Sequence, residues 1–341
     1  MQLRGLGITL ERFSRLIGST GAWAALSRAV PWRGVLCLNY HRVGDASREG
    51  FDQGIWSADA DAFDDQMRFL KSHVDVISPH DLPSVVRGRK GRHVLLTFDD
   101  GYIDNYRVAF PILKSRGTPA TFFVATGFVD HPRIPWWDEI AWIVRTSRAY
   151  GIEANRWMTT RVVFDKPHRA LAVKRLLGVY KAMPTESGEA FLDFLGEATG
   201  CGRYDSPDFG KSWMTWEMLR EMRSAGMFVG GHTVNHPVLS HLPMERQWDE
   251  ISGCALRLSQ ELGEPMRYFS YPVGSRMSFN SDTRACLKRV GVEYAFSYYG
   301  GLCRFQEWDD LDVRRNAVAT GMSSHWVRAL VTLPGLYARA R

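Results

Sequence analysis

The 341-residue chain is poor in cysteine, has no long apolar run and carries no low-complexity tract. Its five cysteines, at positions 37, 201, 254, 286 and 303, are odd in number, widely spaced and never arranged as C-x-x-C. That argues against a disulfide framework or a zinc–thiolate site and suits buried free thiols in a reducing compartment. No stretch reaches the roughly 18 apolar residues needed to span a bilayer. Residues 1–34 do not read as a secretory signal, because Arg4, Glu11, Arg12 and Arg15 break the apolar run. There is no internal repeat and no nucleic-acid-binding signature, and the basic residues are scattered.

Hydrophobic residues make up 45% and charged residues 23%, the proportions of a globular protein. The formal net charge of +6 suits an anionic partner such as a phospholipid surface or a diphosphate-linked sugar, or simply a solvated basic surface. Leu6, Leu10, Phe13, Leu16 and Ile17 recur at helical spacing with arginines between them, and 326–341 has a similar basic and apolar mix. Each end reads as a helix packed on the domain or as a basic amphipathic helix on a membrane.

From about Arg33, strand and helix patterns alternate. Short apolar runs at 35–40, 93–98, 120–125, 227–230, 268–271 and 294–297 read as strands, with helical patterns at 60–71, 105–115, 216–224, 243–262 and 282–290. Such alternation implies a mostly parallel sheet with helices outside, and the number of units suits a barrel whose site lies at the strands' C-terminal ends. Residues 128–212 interrupt the pattern with Trp-rich helical segments and read as an insertion, a lid or part of a substrate groove. Trp136 and Trp137 are candidates for stacking on sugar rings or for the insertion's own core.

Two segments carry the chemistry. In Leu96-Thr97-Phe98-Asp99-Asp100-Gly101, two carboxylates end a buried strand, where they are costly unless positive charge compensates them. Asp and Gly are also common turn residues, so this spacing alone leaves a plain turn open. In Gly230-Gly231-His232-Thr233-Val234-Asn235-His236, two histidines four apart follow a strand, and one helical turn would put both on one side. A carboxylate with two imidazoles makes a three-ligand set for a divalent cation, and the second carboxylate is left free to accept a proton from water. A third segment, Ser270-Tyr271-Pro272-Val273-Gly274, forms a turn able to aim a backbone N–H at an oxyanion.

In this order, the TFDDG and H-T-x-x-H segments resemble the polysaccharide deacetylase (NodB-homology) family, the family-four carbohydrate esterases, from about Gly34 to about Val318. The resemblance implies a distorted (β/α) barrel and a divalent metal, zinc being expected, with cobalt or nickel as alternatives. It implies Asp99 as general base, Asp100, His232 and His236 as metal ligands, and the Val273 N–H as oxyanion donor. The family's third motif carries Arg where this chain has Ser270; of Arg314 and Arg315, Arg315 is the expected substitute. The family's C-terminal histidine motif has no good copy here, His325 having poor context. His41, in Leu38-Asn39-Tyr40-His41, matches instead a subgroup acting on poly-N-acetylglucosamine, with the acid histidine after the first strand.

The expected organisation is an N-terminal amphipathic segment (1–32), a deacetylase barrel (33–320) and a C-terminal helix (321–341). The expected activity is metal-dependent removal of N-acetyl or N-acyl groups from amino sugars of a polysaccharide or lipid-linked glycan, in the cytoplasm or peripherally at the inner face of its membrane. A non-catalytic metal-containing glycan-binding protein and a non-haem iron oxygenase are the competing readings.

Overall fold

A computed structural model describes residues 32–46 and 50–338 except 321 and 323, with isolated positions before residue 32. The expected N-terminal helix therefore lies largely outside the described residues.

Eight parallel strands form one sheet: β1 (Gly34–Tyr40), β2 (Asp75–Ile77), β3 (Arg92–Phe98), β4 (Thr121–Val124), β5 (Phe228–Gly231), β6 (Tyr268–Ser270), β7 (Tyr294–Ser297) and β8 (Val313–Ala317). The order β1-β8-β7-β6-β5-β4-β3 closes on itself because β3 also pairs with β1 along its whole length, giving a seven-stranded barrel. β2 lies outside the ring and pairs with the first half of β3, while β4 pairs with the last residues of β3. That sharing of one edge distorts the barrel.

Successive strand residues face opposite ways. Leu36, Leu38, Tyr40, Val94, Leu96, Phe98, Phe122 and Val124 join the core beneath the helices. Val35, Cys37, Leu95, Phe123, Phe296 and Val313 form a second cluster inside the barrel. Because both faces are buried, β1 and β3 read in the sequence as continuous apolar runs. Nearer the C-terminal ends the interior turns polar: Asn39, Thr97, Ser270, Ser297 and Arg315 are all buried.

The outer helices are α1 (Ala60–His73), α2 (Leu82–Gly88), α3 (Phe110–Arg116) and, after the insertion, α8 (Trp216–Ser224), α9 (Met244–Leu262) and α10 (Ser281–Arg289). The expected helix over 105–115 instead opens with a π-helical turn at Asn105–Ala109. Pro111 lacks the N–H that an α-helix would direct to Arg107. Gly117, with φ +58°, ends α3.

Between β4 and β5 the chain forms α4 (Thr126–Asp130), α5 (Trp136–Thr146), α6 (Arg169–Ala182) and α7 (Gly188–Thr199). The last three pack around their own core of Ile140, Ile143, Leu176, Phe191 and Leu195, separate from that of the barrel. Near the C-terminus, α11 (Ser324–Thr332) and α12 (Pro334–Tyr337) follow β8, with Val327 and Leu330 joining the outer core. No helix among the described residues is long and apolar enough to cross a membrane.

Candidate active site

Four of the five non-glycine residues with positive φ among the described residues are Asp100 (+75°), Thr233 (+67°), His236 (+58°) and Val273 (+62°). All lie just beyond the C-terminal ends of β3, β5 and β6. For β-branched Thr and Val such a conformation is a true outlier, and strain of roughly 1–3 kcal/mol per residue persists only where the surroundings impose it. Here Asp100, His236 and Val273 line one cavity, and the Thr233 hydroxyl holds the backbone of His236.

Asp99 continues the inward alternation of β3, so Asp100 in extended backbone would point outward. The left-handed turn at Asp100, continued by Gly101 at φ +92°, brings both carboxylates to the barrel mouth. Asp100 Oδ1 lies 3.5 Å from the Nε2 of His232 and 3.5 Å from that of His236. One ligand atom from each residue can be chosen so that all lie within 4.8 Å of one another, and all three residues are buried. Ligands about 2.1 Å from a tetrahedral ion stand about 3.4 Å apart, so the donor set fits a divalent cation.

The histidines do not meet through a helical turn, as their spacing suggested. Residues 232–236 form a bend with two left-handed residues, in which the Thr233 hydroxyl accepts from His236 N–H (2.9 Å). Glu250, from α9, accepts from Val234 N–H (3.0 Å), Asn235 N–H (2.8 Å) and the Asn235 amide (2.7 Å). The motif reading missed Glu250; a carboxylate on a buried helical face was its one signal. His232 Nδ1 lies 2.7 Å from the carbonyl of Ser270, which leaves Nε2 for the ion. Burial, with the nearby His232 charge, pushes the His236 pKa down to about 3, so its imidazole is neutral near pH 7, the form that binds metals. Gly230 and Gly231 permit the close approach: a Cβ at Gly230 would lie 2.6 Å from the Phe123 ring and 2.7 Å from the Tyr268 carbonyl.

Asp99 is held apart from this set by Arg315, which is wholly buried. Arg315 Nη1 donates to Asp99 Oδ1 (2.7 Å) and Nη2 to Oδ2 (2.8 Å), and the Asn39 amide adds a bond to Oδ2 (3.1 Å). The guanidinium is fixed in turn by Ser270 Oγ (2.7 Å), Asn39 Oδ1 (2.6 Å) and the Ser297 carbonyl (3.0 Å). Ser270, standing where the family motif carries Arg, thus orients the Arg that reaches Asp99 from β8. Arg314 points elsewhere, donating to the Leu302 carbonyl (3.0 Å). Burial alone would raise the Asp99 pKa, but the Arg315 charge, and after it that of His232, outweighs burial and holds it well below the usual range. Asp100 is likewise lowered, burial being outweighed by the hydrogen bond and charges of the histidines.

A cavity of about 110 Å³ is lined by His41, Asp99, Asp100, His232, His236 and Val273, together with Asp52, Tyr298 and, from the insertion, Trp136, Leu177 and Lys181. The backbone of His41 is tied on both sides, its N–H donating to Ser57 Oγ (3.0 Å) and its carbonyl accepting from the Asn105 amide (2.6 Å). Trp137 is buried against Phe128 and His236, and its indole N–H donates to Tyr102 Oη (2.7 Å). That hydroxyl donates to Asp138 (2.6 Å), whose other oxygen accepts the N–H of Asp52 (2.9 Å). This buried network, which the motifs did not reveal, anchors the insertion to the cavity wall. All five cysteines are free and Cys201 alone among them is not buried.

The polysaccharide deacetylase family model matches residues 87–295. The chain is 53% identical over 200 residues, 59% of its length and 42% of the relative's, to the Bacillus subtilis (strain 168) protein YxkH, whose name places it among polysaccharide deacetylases. It is 32% identical over 108 residues, 30% of its length and 16% of the relative's, to the poly-beta-1,6-N-acetyl-D-glucosamine N-deacetylase of Escherichia coli (strain K12). It therefore spans less than half the length of these relatives. Among solved structures, the Streptococcus pyogenes deacetylase PplD matches with a TM-score of 0.57 at 20% identity, over 86% of this chain and 96% of that one. IcaB from Ammonifex degensii matches with a TM-score of 0.56 at 22% identity, over 88% and 98%. At such identities these two support the fold alone. With the family model spanning more than half its length, the chain belongs to the polysaccharide deacetylase family.

Proposed function

We propose that this protein is an amide hydrolase that removes N-acetyl groups from amino sugars of a polymeric or lipid-linked glycan in a metal-dependent reaction. The observation that carries the reading is one small cavity holding a two-His-one-carboxylate set, a separate oriented carboxylate and a third histidine. The name of the Escherichia coli relative supports N-acetylglucosamine as the sugar. Asp100, His232 and His236 would hold the cation, zinc being the expected ion. When bound, it would supply Lewis acidity, polarising a carbonyl and acidifying water.

Asp99 takes the proton of the attacking water. A carboxylate has about four acceptor sites; Arg315 and Asn39 occupy three, so one remains, on Oδ1. The Arg315 pair keeps Asp99 ionised and fixes that site. The Val273 N–H stabilises the charge developing on the acyl oxygen, and His41 protonates the departing nitrogen. The acyl C–N bond breaks, and acetate and a free amine leave. The case for a non-catalytic binding protein rested on Ser270 in place of Arg; the pairing of Arg315 with Asp99 supports the catalytic reading instead. An iron oxygenase leaves Asp99 without a role.

Acetate release from a panel of N-acetylated oligosaccharides and lipid-linked amino sugars, with and without chelator, tests this. No release from any of them with metal present overturns it. We further propose action at the cytoplasmic face of a membrane, supported by the free thiols and the basic ends of the sequence. Recovery of the native protein from the periplasm or medium refutes that location.

A further inference from the structure

The two imidazoles of the candidate metal site are oriented by different means. His232 is fixed through its own ring, whose Nδ1 lies 2.7 Å from the Ser270 carbonyl. The Nδ1 of His236 is buried and finds no hydrogen-bond partner among the described residues. A metal-binding histidine is ordinarily aimed by a bond from its second nitrogen. His236 lacks that bond, so its aim depends on packing against Trp137, ring centroids 4.5 Å apart, and on its backbone. That backbone is costly to hold, because Thr233 and His236 are both left-handed.

Two elements grip the bend from opposite sides. In α4, the N–H groups of Thr126 and Gly127 donate to the carbonyls of Thr233 (3.1 Å) and Val234 (2.8 Å). From α9, Glu250 Oε2 accepts the N–H groups of Val234 and Asn235, while Oε1 accepts the Asn235 amide. Gly253, one turn further along the same face of α9, allows this approach, since a Cβ there would lie 3.1 Å from Val234 Cγ2. The Asn235 amide is fixed at its other end, where Oδ1 accepts from Arg133 Nη2 of the insertion (2.6 Å). Arg133, Asn235 and Glu250 meet at the wall of a second cavity, of about 540 Å³, which adjoins the catalytic one; Trp136 and His236 line both. We propose that Glu250 is a positioning residue that holds His236 in ligand geometry before a cation arrives, and that Arg133 extends this hold to the insertion through Asn235. This rests on the metal-dependent function proposed above. It adds a carboxylate that sets metal affinity without being a ligand: its oxygens are engaged by the bend, and the ligand cluster among the described residues is Asp100, His232 and His236.

The test is the zinc dissociation constant of the full chain, measured by competition with a chromophoric chelator, together with amide hydrogen exchange over 232–238 in the metal-free protein. Glu250→Ala should weaken zinc binding by about 10–100-fold and speed exchange at Val234 and Asn235. Glu250→Gln keeps the reach and one acceptor oxygen, so it should lose less than Glu250→Asp, which keeps the charge but is one methylene short. Arg133→Ala, an exposed change, should weaken zinc binding by about two- to five-fold and add nothing in the Glu250→Ala background. Unchanged affinity in Glu250→Ala overturns the proposal. So does an Asp variant at the wild-type value with Gln as weak as Ala, which would mean that the charge acts through space. An Arg133→Ala effect undiminished in the double variant overturns the link to the insertion. If Glu250→Ala does not fold, the order of Gln and Asp decides. If the wild type binds no zinc, the metal reading fails and hydrogen exchange decides whether Glu250 holds the bend: faster exchange in Glu250→Ala upholds that, and unchanged exchange overturns it.

Discussion

Replacing Arg315 by Met should leave Asp99 as a buried carboxylate with no guanidinium beside it. Removing one partner of a buried pair costs about 3–5 kcal/mol. An independent route gives a similar figure. At pH 7 a carboxyl of ordinary pKa near 3.9 can shed its charge by taking up a proton, at roughly 1.4 kcal/mol per pH unit, or about 4 kcal/mol. Protonation therefore caps the penalty, and the variant should lose about 3–5 kcal/mol. The pH dependence follows. In the wild type the Asp99 pKa is depressed, so its contribution is present above about pH 4 and is lost only as pH falls toward the folded value. In the variant burial raises that pKa, so the folded state binds more protons than the unfolded one. The deficit should then grow by up to roughly 1.4 kcal/mol per unit between about pH 4 and the raised pKa. Urea unfolding of both proteins at pH 5, 6 and 7 reads the difference, with EDTA present so that no cation replaces the guanidinium. Adding Asp99→Asn to the variant should recover at least about half of the loss, because no charge is left uncompensated. A loss under about 1 kcal/mol, no pH dependence, or no rescue would refute the reasoning.

Three further outcomes are expected. Asp100→Ala should weaken zinc binding by at least about 100-fold, measured by equilibrium dialysis, since it removes a ligand and not merely a supporting group. Asp99→Asn and His41→Gln should each lower acetate release by about 10²–10⁴-fold while zinc stoichiometry stays at the wild-type value; a loss of zinc would assign them to structure and not to proton transfer. Gly230→Ala should destabilise the fold by about 1–3 kcal/mol, because its Cβ would meet the Phe123 ring and the Tyr268 carbonyl, measured as a lowered urea midpoint.

The strands leading to His41, Asp99 and Val273 were legible because each is buried on both faces and is an apolar run ending in a polar cluster. The six runs read as strands correspond to β1 and β3–β7, with ends shifted by at most one residue where they differ. β2 was not read because it opens on an exposed Asp75 and only Ile77 in it is buried, and β8 was noticed only through its arginines, because two charges interrupt its apolar pattern. The two tryptophans also separate in the fold: Trp137 is buried and lines only the catalytic cavity, while Trp136 lines both cavities.

Taken by itself, the sequence determined the family, the barrel class and which residue types could hold a cation, because metal ligation and proton transfer demand particular side chains at strand ends. Only the tertiary structure decided which of two adjacent arginines reaches Asp99, since one residue along a strand reverses the direction of the side chain. It alone revealed that Ser270, Asn39 and Ser297 hold Arg315, that Glu250 shapes the histidine bend, and that a second cavity opens beside His236. Those pairings join residues up to 276 positions apart, and no local pattern in the chain records a contact that only closure of the barrel creates.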